Sequence, residues 1–389
     1  PLCDHRSVGG RYRLAVIRGD GIGPEVTDAA LAVLDAAEER FGFRTERTPY
    51  PWSAEGYLQG EQVTPEMIEA LRSYDAILLG AIGHPGAPRG VAERDIIFGL
   101  RRGLDLYVNL RPIVLYDDRL CPLRGKGTSD VSFVIVRENT EDAYGRPAVT
   151  EHAGTPEEEV VAPIRFSRRG TERIVRHAFE LARERPRKHV TLVDKTNALP
   201  VQEIYRTVFE EVGRDFPDVE RDAMYVDAAA MWMVLRPERF DVVVTTNLFG
   251  DILSDLGAAL CGGLGSGASG NIHPGRVSVF EPIHGSAPKY AGQNVASPIG
   301  AIGALALLLD HVGEREASTA VHEAIVEGFR SGRIKGVEAG SGGTMEVAEG
   351  IAGWIRGAAD RAGRRGERGA GTPSARRGEE HAPGDGGAA

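Results

Sequence analysis

An α/β fold with a largely parallel sheet is predicted by two features of this 389-residue chain: short apolar runs alternate with amphipathic helical stretches, and glycine turns follow two of the runs. Residues 13–18 form the first apolar run, Gly19-Asp-Gly-Ile-Gly-Pro-Glu25 the first turn, and residues 26–40 the first helix. A helical pattern over 65–72 then leads to a buried strand at 76–79 and a second turn, Gly80-Ala-Ile-Gly83. Further strands are expected at 131–136, 190–193 and 240–244, and helices at 168–184, 202–212 and 252–260. Two helical runs, 298–312 and 317–329, close the folded part. Residues 360–389 are rich in glycine, arginine and proline with almost no apolar content, so we expect a disordered tail.

The length implies two lobes rather than one small core. Hydrophobic residues make up 42% and charged residues 26%, and no apolar stretch approaches the roughly 18 residues that a membrane span requires. The segment Pro1-Leu-Cys-Asp-His-Arg6 lacks a basic start followed by an apolar run, so a cytoplasmic location is expected. Cys3, Cys121 and Cys261 are too scattered for a disulfide framework and are expected as reduced thiols. A net charge of -10 argues against a nucleic-acid partner, because neutralising phosphates needs a basic face.

The first glycine turn is not a dinucleotide fingerprint. That pattern needs G-x-G-x-x-G with a free helix start, whereas here the third glycine comes early and Pro24 follows it. A single glycine turn is most often only strand-to-helix geometry.

Asp251 and Asp255 stand four residues apart, so on a helix both carboxylates share one face. Like charges at that spacing repel, and no Lys or Arg lies within the motif Asn247-Leu-Phe-Gly-Asp-Ile-Leu-Ser-Asp255. A divalent ion would compensate them, and oxygen donors without a His/Cys cluster favour magnesium or manganese. Acids that merely complement a helix start are the competing explanation. Asp227, at the end of another apolar run, adds a third candidate donor.

Arg101 and Arg111 flank a short apolar segment, and Arg137 ends a candidate strand, where α/β proteins place ligands. Arginines so placed suit bidentate recognition of carboxylates. Tyr144 follows in Arg137-Glu-Asn-Thr-Glu-Asp-Ala-Tyr144, and Lys195 lies just past a strand, where a lysine beside a metal can accept a proton. Each of these residues taken alone is more often a surface or packing residue.

Together these segments resemble the isopropylmalate/isocitrate dehydrogenase family over about residues 12–356. The match rests on Gly-Asp-Gly-Ile-Gly-Pro-Glu, Asp105-Leu-Tyr-Val-Asn-Leu-Arg-Pro, Arg-Glu-Asn-Thr-Glu, Asp194-Lys-Thr-Asn, the Asn247–Asp255 motif and Glu281-Pro-Ile-His-Gly-Ser-Ala-Pro, in the family's order. The resemblance implies a large mixed sheet flanked by helices in two lobes, unlike the Rossmann dinucleotide fold. It divides the chain into an N-terminal extension (1–12), a cofactor-side domain (13–115 with 256–358), a metal, substrate and dimerisation domain (116–255) and the tail. It makes Arg101, Arg111 and Arg137 the clamp on the malate carboxylates, Asp227, Asp251 and Asp255 the metal ligands, Lys195 the base-side residue and Tyr144 the acid. Lys195 and Asp227 would come from the neighbouring subunit, so a homodimer with shared sites is implied. The implied reaction is metal-dependent oxidative decarboxylation of a 3-substituted malate with hydride transfer to NAD or NADP.

Glu281, His284, Gly285, Ser286, Ala287, Pro288, Lys289, Tyr290 and Ser297 resemble the family's cofactor loop. NAD-preferring members usually carry Asp and an aliphatic residue where Lys289 and Tyr290 stand, which favours NADP here. Ser297 replaces a common Asn, and residues 339–343 lack a Tyr/Arg pair. Substrate choice falls to Arg94-Asp-Ile-Ile-Phe-Gly-Leu100, which resembles the recognition helix. Ile97 and Phe98 align with the aliphatic pair of isopropylmalate enzymes. Arg94 and Arg89 could instead serve an anionic substituent, leaving isocitrate, homoisocitrate, tartrate or another analogue open. Asp142 stands where the family has glycine before the tyrosine. A regulatory subunit would have lost metal or proton-transfer residues; none is lost. A metal hydrolase would leave the His284 loop without nucleotide.

Overall fold

The structure, a computed structural model, describes residues 9–88, 90–144 and 147–368. Its first lobe opens with β1 (Arg11–Gly19), α1 (Gly23–Phe41), β2 (Arg44–Tyr50), α2 (Ala54–Leu58), α3 (Pro65–Ala70), β3 (Ala76–Ala81) and α4 (Phe98–Gly103). After β4 (Val108–Val114) and β5 (Ser132–Glu138), a hairpin arm follows, made of β6 (Val149–Glu151) and β7 (Glu159–Val161). The second lobe continues with α5 (Arg168–Glu184), β8 (His189–Asp194), α6 (Glu203–Gly213), β9 (Glu220–Tyr225), α7 (Val226–Leu235), β10 (Val242–Thr245) and α8 (Asn247–Leu260). The chain then returns through β11 (Ala268–Ile272), β12 (Val279–Pro282), α9 (Ile299–His311), α10 (Arg315–Arg330) and α11 (Thr344–Arg368).

Ten strands form one sheet in the order β2-β1-β3-β12-β11-β4-β5-β10-β8-β9. Both ends are parallel, as the strand–helix alternation predicts, but β11 runs antiparallel to β12 and β4, and β4 antiparallel to β5. Six of the nine strand pairs in this sheet are parallel and three antiparallel, so the sheet is largely parallel and mixed, as the family resemblance implies. These central strands escape a search for apolar runs because Asn109, Arg111, Ser269 and Asn271 interrupt them.

Helices cover both faces of each half, which is why the parallel strands read as continuous apolar runs. On β1, Leu14 packs under α1, α9, α10 and α11, while Ala15 and Ile17 face the opposite core with Leu100 of α4. On β5, Val134 and Val136 pack with α5 and α6, while Phe133 and Ile135 pack with Ala229 and Met233 of α7 and Leu253 of α8. The boundary expected between residues 115 and 116 would fall between β4 and β5, near the middle of the one continuous sheet.

Local signals set the helix ends. Pro24 opens α1, and Gly42, with φ 81°, closes it through its N–H to the Glu38 carbonyl. Ser167 caps α5 by accepting from the Gly170 N–H at 3.0 Å. α11 buries Ala348, Ile351, Ala352 and Ile355 and continues to Arg368, past residue 360 where the tail is expected. Residues 369–389, 1–8 (with Cys3) and Arg89 lie outside the described residues. Cys121 and Cys261 are free thiols. Among the described residues, no helix is long and apolar enough to cross a membrane.

Candidate active site

The first glycine turn joins pieces of structure. Ile22 N–H donates to the Ser286 carbonyl at 2.8 Å, docking the His284 loop on the turn. A side chain at Gly21 is excluded, since its Cβ would lie 2.0 Å from that same oxygen. Asp20 is buried, and its carboxylate accepts from Ala54 N–H (2.7 Å), Glu55 N–H (2.9 Å) and Gly83 N–H (2.9 Å). It thereby binds both glycine turns to the start of α2, a role that only the folded chain reveals.

Arg101, Arg111 and Arg137 come from α4, β4 and β5, and all three are buried near one another. Arg137, 1% exposed, donates from Nε and Nη2 to Asn247 Oδ1 (2.9 and 2.7 Å) and from Nη1 to Asp251. Burial and the charges of Arg111 and Arg101 push its pKa down to about 9, against the pull of Asp251. Gly250 lets α8 pass this side chain, because a Cβ there would lie 2.5 Å from Arg137 Cγ. Arg111 donates to Ser254 and lies 3.3 Å from Asp251 and 3.8 Å from Asp255. Arg101 donates to Asn271 Oδ1 at 3.1 Å and lies 3.6 Å from Glu281; burial, with Arg111 nearby, lowers its pKa.

Asp251 and Asp255 do share one face of α8, which begins at Asn247 rather than at residue 252. No Lys or Arg lies within the motif, as the sequence shows, but Arg111 and Arg137 reach these acids from other strands and offset part of their repulsion. Burial alone would raise the Asp251 pKa, but Arg137, the Tyr144 hydroxyl, Arg111 and Arg101 together hold it below the usual carboxylate range. Burial, aided by Asp251, raises Asp255. Tyr144 donates to Asp251 Oδ2 at 2.7 Å; burial, then this bond, pushes its pKa up to about 12.

Asp227 does not join the other two acids, and among the described residues no group of three His, Cys, Asp or Glu side chains converges on a metal position. Asp227 instead pairs with Lys195 at 2.7 Å, which lowers the Asp227 pKa. Lys195 and Asp227 thus stand together at the start of α7, apart from the arginine clamp.

In the loop that the sequence resemblance assigns to the cofactor, His284 Nε2 is buried without a hydrogen-bond partner, and burial lowers the ring's pKa. His284 Nδ1 lies 3.0 Å from the Gly285 carbonyl, to which it donates in the tautomer protonated at Nδ1. Ala287 holds φ 37°, which starts the single turn Pro288–Tyr290, and Lys289 Nζ stacks over the Tyr290 ring at 4.5 Å. Ser297 donates to the Gly265 carbonyl at 3.3 Å. Glu281 faces inward, accepting from Asn271 Nδ2 at 2.7 Å beside Arg101. Arg94 forms a two-point contact with Asp95 (2.7 and 3.3 Å), while Phe98 packs edge-on against Tyr144 at 6.0 Å and Ile97 lines the adjoining core.

Residue-by-residue reading missed Asn247, Ser254 and Asn271, which orient the three arginines. Asn271 Oδ1 also accepts from Asn109 and Asn139, both at 3.0 Å. For Asn247 and Asn271 the signal was a polar side chain inside or beside an apolar strand, and for Ser254 a polar residue among the buried positions of α8, each tolerated when hydrogen-bonded.

The Isocitrate/isopropylmalate dehydrogenase family model matches residues 13–349. A 3-isopropylmalate dehydrogenase of Thermobifida fusca (strain YX) is 44% identical over 344 residues, covering 87% of this chain and 96% of that protein. A 3-isopropylmalate dehydrogenase of Mycobacterium avium (strain 104) is 50% identical over 317 residues, covering 80% and 92%. Among solved structures, an isocitrate dehydrogenase from Methylococcus capsulatus superimposes with TM-score 0.78 at 35% identity, covering 89% of this chain and 99% of that one. A β-decarboxylating dehydrogenase from Thermococcus kodakarensis gives 0.73 at 35% identity, covering 90% and 97%. With its central antiparallel strands and its buried arginine cluster facing α8, the chain belongs to the isocitrate/isopropylmalate dehydrogenase family.

Proposed function

We propose that this chain oxidises a 3-substituted malate at C2 and releases its C3 carboxylate as carbon dioxide, with 3-isopropylmalate the favoured substrate. The observation that carries the reading is the buried cluster of Arg101, Arg111 and Arg137 beside Asp251 and Tyr144. Three buried cations close together are costly unless anions complete them, and a dicarboxylate does so. Among the described residues, Arg94 is already engaged by Asp95 and does not call for an anionic substituent; Ile97 and Phe98 suit an apolar one. The names of the relatives agree with that choice.

Asp251 and Asp255 fit a hard cation, two carboxylates on one helical face, with Asp227 of a second subunit completing the set. When bound, a magnesium or manganese ion supplies Lewis-acid polarisation of the substrate's C2 oxygen, and the dinucleotide serves as hydride acceptor. Among the protein's own residues, the arginines orient both carboxylates, Lys195 of the neighbouring subunit receives the hydroxyl proton, and the Tyr144 hydroxyl delivers a proton to the carbon that loses carbon dioxide. The unpaired His284 Nε2 and the loop through Ser286 and Tyr290 suit the adenosine end of the cofactor. A homodimer fits the exposed apolar side chains of Met231, Val234 and Leu235 on α7 and Ile252 on α8, which need cover.

A panel of 3-substituted malates with NAD or NADP and magnesium or manganese, followed by reduced nicotinamide and carbon dioxide, tests the reading. Turnover fastest with 3-isopropylmalate is expected; no turnover of any member would end it. We assign NADP preference to Lys289, so Lys289→Asp lowers the NADP-to-NAD ratio of kcat/KM by about tenfold or more. An unchanged ratio removes Lys289 from that role.

A further inference from the structure

Asp142 adopts a glycine-like conformation with φ 79°. Side chains are disfavoured there, although Asp tolerates it better than most residues. Its carboxylate offsets this: one oxygen accepts from Ala143 N–H at 2.7 Å and the other from Leu248 N–H at 2.9 Å. Leu248 belongs to the first turn of α8, whose cap residue Thr246 makes no side-chain capping bond. Asp142 therefore satisfies from a distant loop a donor that the helix leaves open, and it puts negative charge at the favourable end of the dipole.

Two more bonds tie the same loop to the same helix. Asn247 Nδ2 donates to the Glu141 carbonyl at 3.2 Å, and Tyr144 donates to Asp251 at 2.7 Å. Residues 141, 142 and 144 thus meet 247, 248 and 251 as three successive rungs. On the loop's other side, Asp142 N–H donates to the Arg165 carbonyl at 3.0 Å, at the return from the arm.

We propose that Asp142 is a positioning residue that locks the Tyr144 loop onto the first turns of α8, so that the Tyr144 hydroxyl and the Asp251 carboxylate act as one unit. This rests on the reaction proposed above for its kinetic consequence, but not for the clamp itself. A glycine at this position would relieve the backbone and lose the clamp; an asparagine keeps an acceptor and tolerates the same φ.

Three variants of the full chain separate these roles: Asp142→Gly, Asp142→Ala and Asp142→Asn. Hydrogen exchange over residues 246–251, measured without substrate, is expected to quicken about tenfold in the Gly and Ala variants and to stay near wild type in Asn. In the substrate assay the Gly variant loses about tenfold in kcat while KM moves less than twofold, since Arg101 and Arg111 lie outside the clamp; Asn restores kcat. Should the wild type turn over no substituted malate, the proposed reaction falls while the exchange data still decide the clamp. Wild-type exchange in the Gly variant overturns the clamp. Faster exchange with unchanged kcat overturns the positioning role, and so does an Asn variant as impaired as Gly.

Discussion

Asp251→Asn is expected to lower turnover of the hydroxy acid by about a thousandfold or more, because in the proposed reaction it removes a carboxylate donor for the cation that would polarise the C2 oxygen. The loss should exceed any loss of stability. Arg137 keeps its two bonds to Asn247, and at position 251 the single amide oxygen of Asn can still accept from Nη1 while its NH2 faces the Tyr144 oxygen, which can accept from it. The stability cost is therefore about that of weakening one charged hydrogen bond, ~1–2 kcal/mol, measurable as a small fall in Tm. Manganese binding to the purified protein, followed by titration calorimetry, should weaken in parallel with turnover. Retention of a tenth or more of wild-type activity would remove Asp251 from the ligand set.

The second large effect comes from mixing. Lys195→Met is expected to be as inactive alone as Asp251→Asn, yet protomers of the two, unfolded together and refolded, recover about a quarter of wild-type turnover. The reason is geometric. Lys195 and Asp227 pair with each other at one end of α7, and Asp227 does not join Asp251 and Asp255 on α8 within one chain. If a neighbouring subunit supplies the Lys195–Asp227 pair, half of the refolded dimers are hybrids, and each hybrid has one intact site. Recovery no greater than that of the single variants would mean that each chain uses its own Lys195, and the shared-site dimer would be wrong.

The outer parts of the fold were legible in the sequence because they obey local rules. The run at 13–18, the helix after Pro24 and the strands near 131–136 and 190–193 each bury both faces or one stripe, and periodicity records that directly. β4 and β11 were not legible, since their polar residues serve partners far away in the chain: Asn109 and Asn271 bond each other across 162 positions. The same distance hid Asn247 beneath Arg137 and the capping of α8 by Asp142.

What the sequence determined by itself was the alternation of strand and helix, the acidic face of α8 and, through six motifs in order, the family. Local periodicity and residue chemistry are properties of neighbours along the chain, so a linear reading reaches them. The tertiary structure alone decided which cations meet which acids. It brought Arg111 and Arg137 to Asp251, and it paired Asp227 with Lys195 rather than with Asp251 and Asp255. Coulombic pairing acts over a few ångströms of space whatever the separation in sequence, and only a folded chain sets those distances.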